Sequence, residues 1–266
     1  MLLQQERELV QAYGLKMLEK GLTTGTSGNI SVFNRKEGLY AMSPSSMDYH
    51  EIRPEDVVII DLEGNIVEGT RRPSIEHVMH RSYYAGREDV NAVVHTHSPY
   101  ACAASAFGKP MPAVNFMLGL CGAYELPCVG FAPPGTQELA DIAFEGMKGY
   151  KAALLQNHGL LAVGATIEQA MFLAEEMEAM AQLYFLAKSM GDPIFVTDEM
   201  MKGMKIGSGH GNDKSSAVQR RCGTLSHKIG NPLRHYAGGP CFAWPKTHRR
   251  RTVAAMHGAR YCLYQR

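Results

Sequence analysis

The chain has 266 residues, 45% hydrophobic and 20% charged, which excludes a disordered or fibrous protein and suits one globular domain of ordinary size. No run reaches the ~18 apolar residues of a membrane span, and charge appears by Glu6 where a secretory signal would be apolar, so a cytoplasmic protein is expected. The net charge of +1 conceals two populations: residues 1–204 hold 15 Lys+Arg against 25 Asp+Glu, whereas 205–266 hold 12 against the single acid Asp213.

In chain order, residues 3–20 set Leu9, Val10, Tyr13, Leu15, Met17 and Leu18 among charges, predicting an amphipathic helix ended by Gly21. A polar, Gly-rich turn over 25–29 feeds a strand to Phe33. Residues 39–42 precede a second polar turn, Ser43-Pro44-Ser45-Ser46. Residues 57–62 form a strand, and Glu63-Gly64-Asn65 turns it into Ile66-Val67. Pro73-Ser74 then opens a helix from about residue 75 to 84, with proline in the first turn and serine as a cap. A β-branched strand over 92–97, a short helix over 100–106, a strand over 127–131 and a helix over 135–147 follow. Residues 152–157 form a strand, 160–163 extend or re-pair it, and Thr166 caps a long helix over 167–188 that Gly191-Asp192-Pro193 stops. Strands and helices interleave without a strict βαβ rhythm, which predicts an α/β sandwich on a mixed or antiparallel sheet.

Periodicity fails from about residue 206, where Gly, Ser, His, Arg and Pro dominate. The domain is therefore assigned to 1–204, and 205–266 to a basic tail of uncertain origin, disordered or loosely attached, outside the fold. Its readings are an out-of-frame or otherwise foreign segment, a solvated extension, or an electrostatic nucleic-acid arm centred on Arg249-Arg250-Arg251. No nucleic-acid motif accompanies those arginines, so the last reading is disfavoured. Six cysteines without a Cys-x-x-Cys pair suit a reducing compartment.

The candidate chemistry centres on His95-Thr96-His97 and, some sixty residues on, His158 in Gln156-Asn157-His158-Gly159. Residues i and i+2 of a strand share a face, so both imidazoles of the pair can reach one ion. A third histidine at another strand end completes the three-ligand pattern of a catalytic Zn²⁺ with an open position. The spacing alone also allows ordinary polar residues where a strand leaves the core. Three clusters precede the histidines: Thr26-Ser27-Gly28-Asn29, Ser43-Pro44-Ser45-Ser46 and Pro73-Ser74. Hydroxyls, an amide and turn N–H groups suit a phosphate, although each cluster is also a plain turn. Glu76, at the start of the predicted helix, is either a first-turn carboxylate or a general base beside a metal-bound carbonyl. Glu76 and His80, spaced i,i+4, form a weaker metal half-site, since His77 and His80 are expected to face solvent or neighbouring helices.

Thr-Ser-Gly-Asn-Ile-Ser (26–31), Pro-Ser-x-Glu (73–76), His-Thr-His-Ser (95–98), Gly-Thr-x-Glu-Leu (135–139) and Gln-Asn-His-Gly-Leu (156–160) occur in this order. On these motifs residues 1–200 resemble the class II aldolase/adducin family, and within it the L-fuculose-1-phosphate aldolases. The resemblance implies a three-layer α/β/α subunit with a mixed, largely antiparallel sheet, and a homotetramer with active sites between subunits. It implies Zn²⁺ on His95, His97 and His158, with Glu76 as acid/base. It places Thr26, Gly28, Asn29, Ser45, Ser46 and Ser74 on phosphate-binding loops. The implied reaction is reversible cleavage of a ketose 1-phosphate, L-fuculose 1-phosphate or similar, to dihydroxyacetone phosphate and an aldehyde such as L-lactaldehyde.

This chain departs from the family pattern at three points: Ile75 replaces a serine, Ser46 a close-approach glycine, and Phe116 the tyrosine proton donor. The aldolase's mobile C-terminal tyrosine also has no counterpart in the basic tail. A ribulose-phosphate 4-epimerase of the same fold would carry Asp at Glu76 and a further acid after the His-x-His strand, yet no Asp or Glu occurs over 90–124. A methylthioribulose-phosphate dehydratase shares the metal triad and stays open. An adducin-like scaffold without metal chemistry is opposed by the intact triad and Glu76.

Overall fold

The computed structural model describes residues 1–201; the basic tail of 205–266 and its readings lie outside the described residues. The elements are α1 (Gln4–Glu19), β1 (Asn29–Asn34), β2 (Leu39–Met42), β3 (Val58–Asp61), β4 (Ile66–Glu68), α2 (His77–Gly86), β5 (Ala92–Thr96) and α3 (Pro99–Ser105). After them come β6 (Met111–Pro112), β7 (Glu125–Leu126), β8 (Cys128–Val129), α4 (Gln137–Gly146), β9 (Ala152–Leu155), β10 (Gly159–Gly164) and α5 (Ile167–Met190). One eight-stranded sheet runs in the order β4-β3-β2-β1-β5-β10-β9-β8. Every neighbouring pair in it is antiparallel except β8 beside β9.

Side chains alternate across a sheet, and here both faces are apolar. Ile30, Val32, Ala41, Ile59, Val94, Leu154 and Leu160 join a core with Val10 and Met17 of α1 and Met171 and Met177 of α5. Their neighbours Phe33, Tyr40, Met42, Val58, Ile60, Val93, Leu155 and Leu161 join a second core with Met79 and Tyr83 of α2 and Leu139 and Ala143 of α4. The sheet is thus the middle of three layers, as expected. No helix among the described residues is long and apolar enough to cross a membrane.

Two local features differ from the sequence expectation. Helix α2 begins at His77, with Glu76 rather than Ser74 in the cap position. Ser74 is held elsewhere: its N–H donates to the Ser43 carbonyl at 3.1 Å, and Pro44 and Pro73 form a β-bridge beside it. That extended pairing keeps residues 73 and 74 out of helical geometry. The stretch between α3 and β8 also holds the small β6–β7 pair and a 3-10 helix, Phe116–Cys121, neither of which has a periodic signature.

Arg7 locks the N-terminal helix to the far edge of the sheet. Its guanidinium is 1% exposed and donates to the carbonyls of Leu2 (2.8 Å), Pro54 (3.0 Å) and Val57, and to Glu68 Oε1 (2.9 Å). Burial lowers its pKa, opposed by the Glu68 charge, and four acceptors keep the cation satisfied. Arg7→Met should leave these carbonyls without a donor and lower stability by about 2–4 kcal/mol, read as a reduced urea midpoint at unchanged m-value.

Candidate active site

Strand β5 ends at Thr96 with His95 between two neighbours, opposite Asn29 of β1 on one side and Leu161 of β10 on the other. His95 is fully buried, and its Nδ1 lies 2.9 Å from the Leu160 carbonyl. That bond assigns the proton to Nδ1 and leaves the Nε2 lone pair pointing away from the backbone. His97 follows just past the strand, with Nε2 2.9 Å from His95 Nε2. His158 sits in the tight turn between β9 and β10 rather than on a strand, and its Nε2 is 3.2 Å from His95 Nε2. Asn157 takes the left-handed conformation (φ 54°) that a short amide side chain tolerates, and so presents His158.

Glu76, 5% exposed, completes the cluster: Oε2 is 3.3 Å from His95 Nε2, and Oε1 is 3.5 Å from His158 Nε2. One ligand atom from each of these four residues lies within 4.8 Å of the others. Asn29 Nδ2 donates to Glu76 Oε2 at 2.8 Å, while Glu76 Oε1 is buried without a hydrogen-bond partner. Burial lowers the pKa of all three histidines: His95 to about 3, with the neighbouring His97 adding to the effect, and His158 to about 4. At neutral pH the rings are uncharged, so their contacts with the carboxylate are not ion pairs. Converging imidazole nitrogens and an unpaired carboxylate oxygen form a donor set short of positive charge, and it suits a divalent cation. Spacings of 2.9–3.2 Å approach the edge, about 3.3 Å, of a tetrahedron with Zn–N bonds of about 2.0–2.1 Å.

The predicted phosphate loops are joined by Ser43, the first residue of the second polar cluster. Its hydroxyl accepts from the Ile30 N–H (3.2 Å), its N–H donates to the Ile30 carbonyl (3.1 Å), and its carbonyl accepts from Ser74. Ser45 N–H donates to the Arg72 carbonyl at 2.8 Å, and Ser74 Oγ accepts from the Glu76 N–H at 3.3 Å. Gly28, Ser45, Ser46 and Ser74 therefore belong to one stitched group of turns next to Glu76, with Thr26 exposed at its edge. The Asn29 amide, on the first of these loops, is directed to Glu76. Gly28 is required twice over, by φ of +69° and because a Cβ would lie 2.8 Å from the His95 carbonyl. Ser46, where the resemblance places a glycine, holds a positive φ of 57°.

His80 departs from expectation. It neither faces solvent nor joins the metal-type cluster, but is fully buried against β1 with Nδ1 2.6 Å from Ser31 Oγ. His77 is half-buried, with Nδ1 3.1 Å from the Tyr40 hydroxyl. Ile75 is exposed beside the Gly135 turn, and Phe116 opens the 3-10 helix with 43% of its surface exposed.

Gly159 is a further site residue, unmarked in the sequence except by its place after His158. A Cβ there would stand 2.3 Å from the Thr96 carbonyl and 3.1–3.3 Å from the rings of His97 and His95. Gly159→Ala should therefore push β10 away from β5 and lower stability by about 2–4 kcal/mol through overpacking and lost ladder hydrogen bonds. Thermal unfolding checks this, and an unchanged melting temperature would contradict the close approach.

Comparison with known proteins agrees with this geometry. A 5-deoxy-D-ribulose 1-phosphate aldolase of Bacillus thuringiensis serovar kurstaki is 50% identical over 204 residues, covering 77% of this chain and 95% of that protein. A 5-methylthioribulose-1-phosphate/5-deoxyribulose-1-phosphate aldolase of Rhodospirillum rubrum is 40% identical over 181 residues, 68% of this chain and 80% of that one. A solved L-fuculose 1-phosphate aldolase superposes with a TM-score of 0.72 at 40% identity, covering 74% of this chain and 93% of its own. Residues 7–185 match the Class II Aldolase and Adducin N-terminal domain, and the chain belongs to that family.

Proposed function

We propose that this class II aldolase reversibly cleaves a 5-deoxypentulose 1-phosphate to dihydroxyacetone phosphate and acetaldehyde, using Zn²⁺ held by His95, His97 and His158. The buried His₃/Glu cluster carries the reading. The substrate follows the names of the two relatives given above. It also follows Phe116, an apolar ring where the resemblance places a tyrosine donor. L-Fuculose 1-phosphate, which differs by one hydroxymethylene in the departing aldehyde, is the competing substrate. The family resemblance further implies a homotetramer with shared sites, to which exposed Phe116, Phe131 and Phe172 offer apolar contact area.

A divalent cation so held would act as a Lewis acid on the ketose carbonyl. Glu76 would take or return the proton at the carbon bearing the adjacent hydroxyl, its carboxylate aimed by Asn29. The turns around Gly28, Ser45, Ser46 and Ser74 would hold the phosphate through hydroxyl and backbone N–H groups, with Thr26 at their rim. Binding that remote group fixes the reacting carbons against Glu76.

The decisive assay offers 5-deoxyribulose 1-phosphate and L-fuculose 1-phosphate in parallel. Dihydroxyacetone phosphate should appear from both, with higher kcat/KM for the former; its absence from both rules out the aldolase reading. His97→Ala should lose the metal by elemental analysis, and full occupancy would remove it from the ligand set. Glu76→Gln should keep metal and phosphate affinity while slowing solvent exchange of the dihydroxyacetone phosphate proton by roughly 10²–10⁴-fold. Near-normal exchange would exclude Glu76 as the base.

A further inference from the structure

Beneath Glu76 lies a buried polar group that the proposed chemistry does not use. Ser31 Oγ of β1 is 2.6 Å from His80 Nδ1 and 2.5 Å from the Tyr84 hydroxyl, both on α2. All three residues are buried, and His80 Nε2 has no hydrogen-bond partner. Their surroundings are apolar: Phe33 stacks on Tyr84 with ring centroids 4.9 Å apart, and Met79, Val93 and Tyr40 share the same core. Stability alone does not call for polar atoms here, because a well-packed apolar pair serves as well or better than a partly satisfied polar network. Such a network restricts geometry, since its hydrogen bonds form in one alignment of strand and helix.

The placement of that alignment is informative. Asn29 and Ser31 are i,i+2 on β1 and share a face, while Glu76 and His80 are i,i+4 at the start of α2 and lie one turn apart. Two strand residues advance about 6.5 Å, and four helix residues about 6 Å. The Asn29–Glu76 bond (2.8 Å) and the Ser31–His80 contact (2.6 Å) are therefore two successive rungs between the same strand and helix. The upper rung alone leaves Glu76 on a cap residue with a flexible side chain. The lower rung sets the rotation and height of the helix that carries it.

We infer that Ser31 and His80 are positioning residues, which hold the first turn of α2 in register with β1 so that the Glu76 carboxylate meets the substrate carbon. This rests on Glu76 being the proton-transfer group. The test uses Ser31→Ala, which removes one oxygen and leaves both rings in place, and His80→Phe, which keeps an aromatic ring without the nitrogens. His80→Asn is the rescue variant, with an amide to pair with Ser31. In protein that keeps a cooperative melt, Ser31→Ala and His80→Phe should lower kcat for retro-aldol cleavage between about ten- and a hundredfold, the range for groups that orient a functional side chain. KM and metal stoichiometry should stay unchanged, and His80→Asn should recover part of the loss. A general packing defect would move metal content and KM as well. In the Glu76→Gln background the same substitutions should cause no further loss, because there is no longer a carboxylate to position. Unchanged kcat in folded Ser31→Ala, or a loss that multiplies undiminished in the Glu76→Gln background, overturns the inference. Should Glu76→Gln itself retain the wild-type exchange rate, the assignment of Glu76 fails first and takes this one with it.

Discussion

Where β10 leaves its turn it passes so close to β5 that a side chain at residue 159 would collide with the Thr96 carbonyl. The rest of the site depends on this contact. It brings the turn bearing His158 against the strand bearing His95, and it places the Leu160 carbonyl where it receives the His95 Nδ1 proton. On the other flank of β5, the Gly28 turn also approaches the His95 carbonyl too closely for a Cβ and starts β1 with Asn29 directly opposite His95. Three adjacent strand ends thus converge from two sides on one imidazole. A ladder of backbone hydrogen bonds, rather than flexible side chains, sets where the donors meet.

The same convergence creates an electrostatic deficit. Burial disfavours charged imidazoles, so His95 and His158 stay neutral well below physiological pH. A carboxylate 5% exposed among neutral rings keeps one amide donor and one oxygen without a hydrogen bond. Buried charge of one sign is costly, and a cation bound to the folded chain removes that cost and stabilises the fold by linkage. Neutral rings also leave their nitrogen lone pairs available to a cation at physiological pH. Electrostatics and the donor set therefore favour the same occupant.

Around this centre the polar turns are organised as one unit. Ser43 ties the start of β1 to the segment before α2, and Ser74 receives the Glu76 N–H. An anion held by those turns would be fixed relative to Glu76 by a short chain of hydrogen bonds. Under the proposed function, such an arrangement would let binding energy at a non-reacting phosphate act as orientation at the reacting carbon. The Ser46 φ of 57° shows the backbone keeping a glycine-type turn even with a side chain present.

Much of this was legible in the chain itself. Short apolar or β-branched runs bounded by turn residues placed β1, β3, β5 and β9, and the Thr166 cap located the start of α5, because these signals are local. The i,i+2 spacing put His95 and His97 on one face, and the ordered motifs shared with the family joined them to His158 and Glu76, since spacing alone also allowed ordinary polar residues. What tertiary structure alone decided is which partners those groups meet. No local rule tells Asn29 to bond Glu76 47 residues away, turns His80 inward onto Ser31, or makes residue 159 intolerant of a Cβ. Those outcomes depend on the order β1-β5-β10 and on its register. Sequence periodicity specifies the face on which a side chain lies, whereas only the pairing of distant strands specifies what stands opposite it.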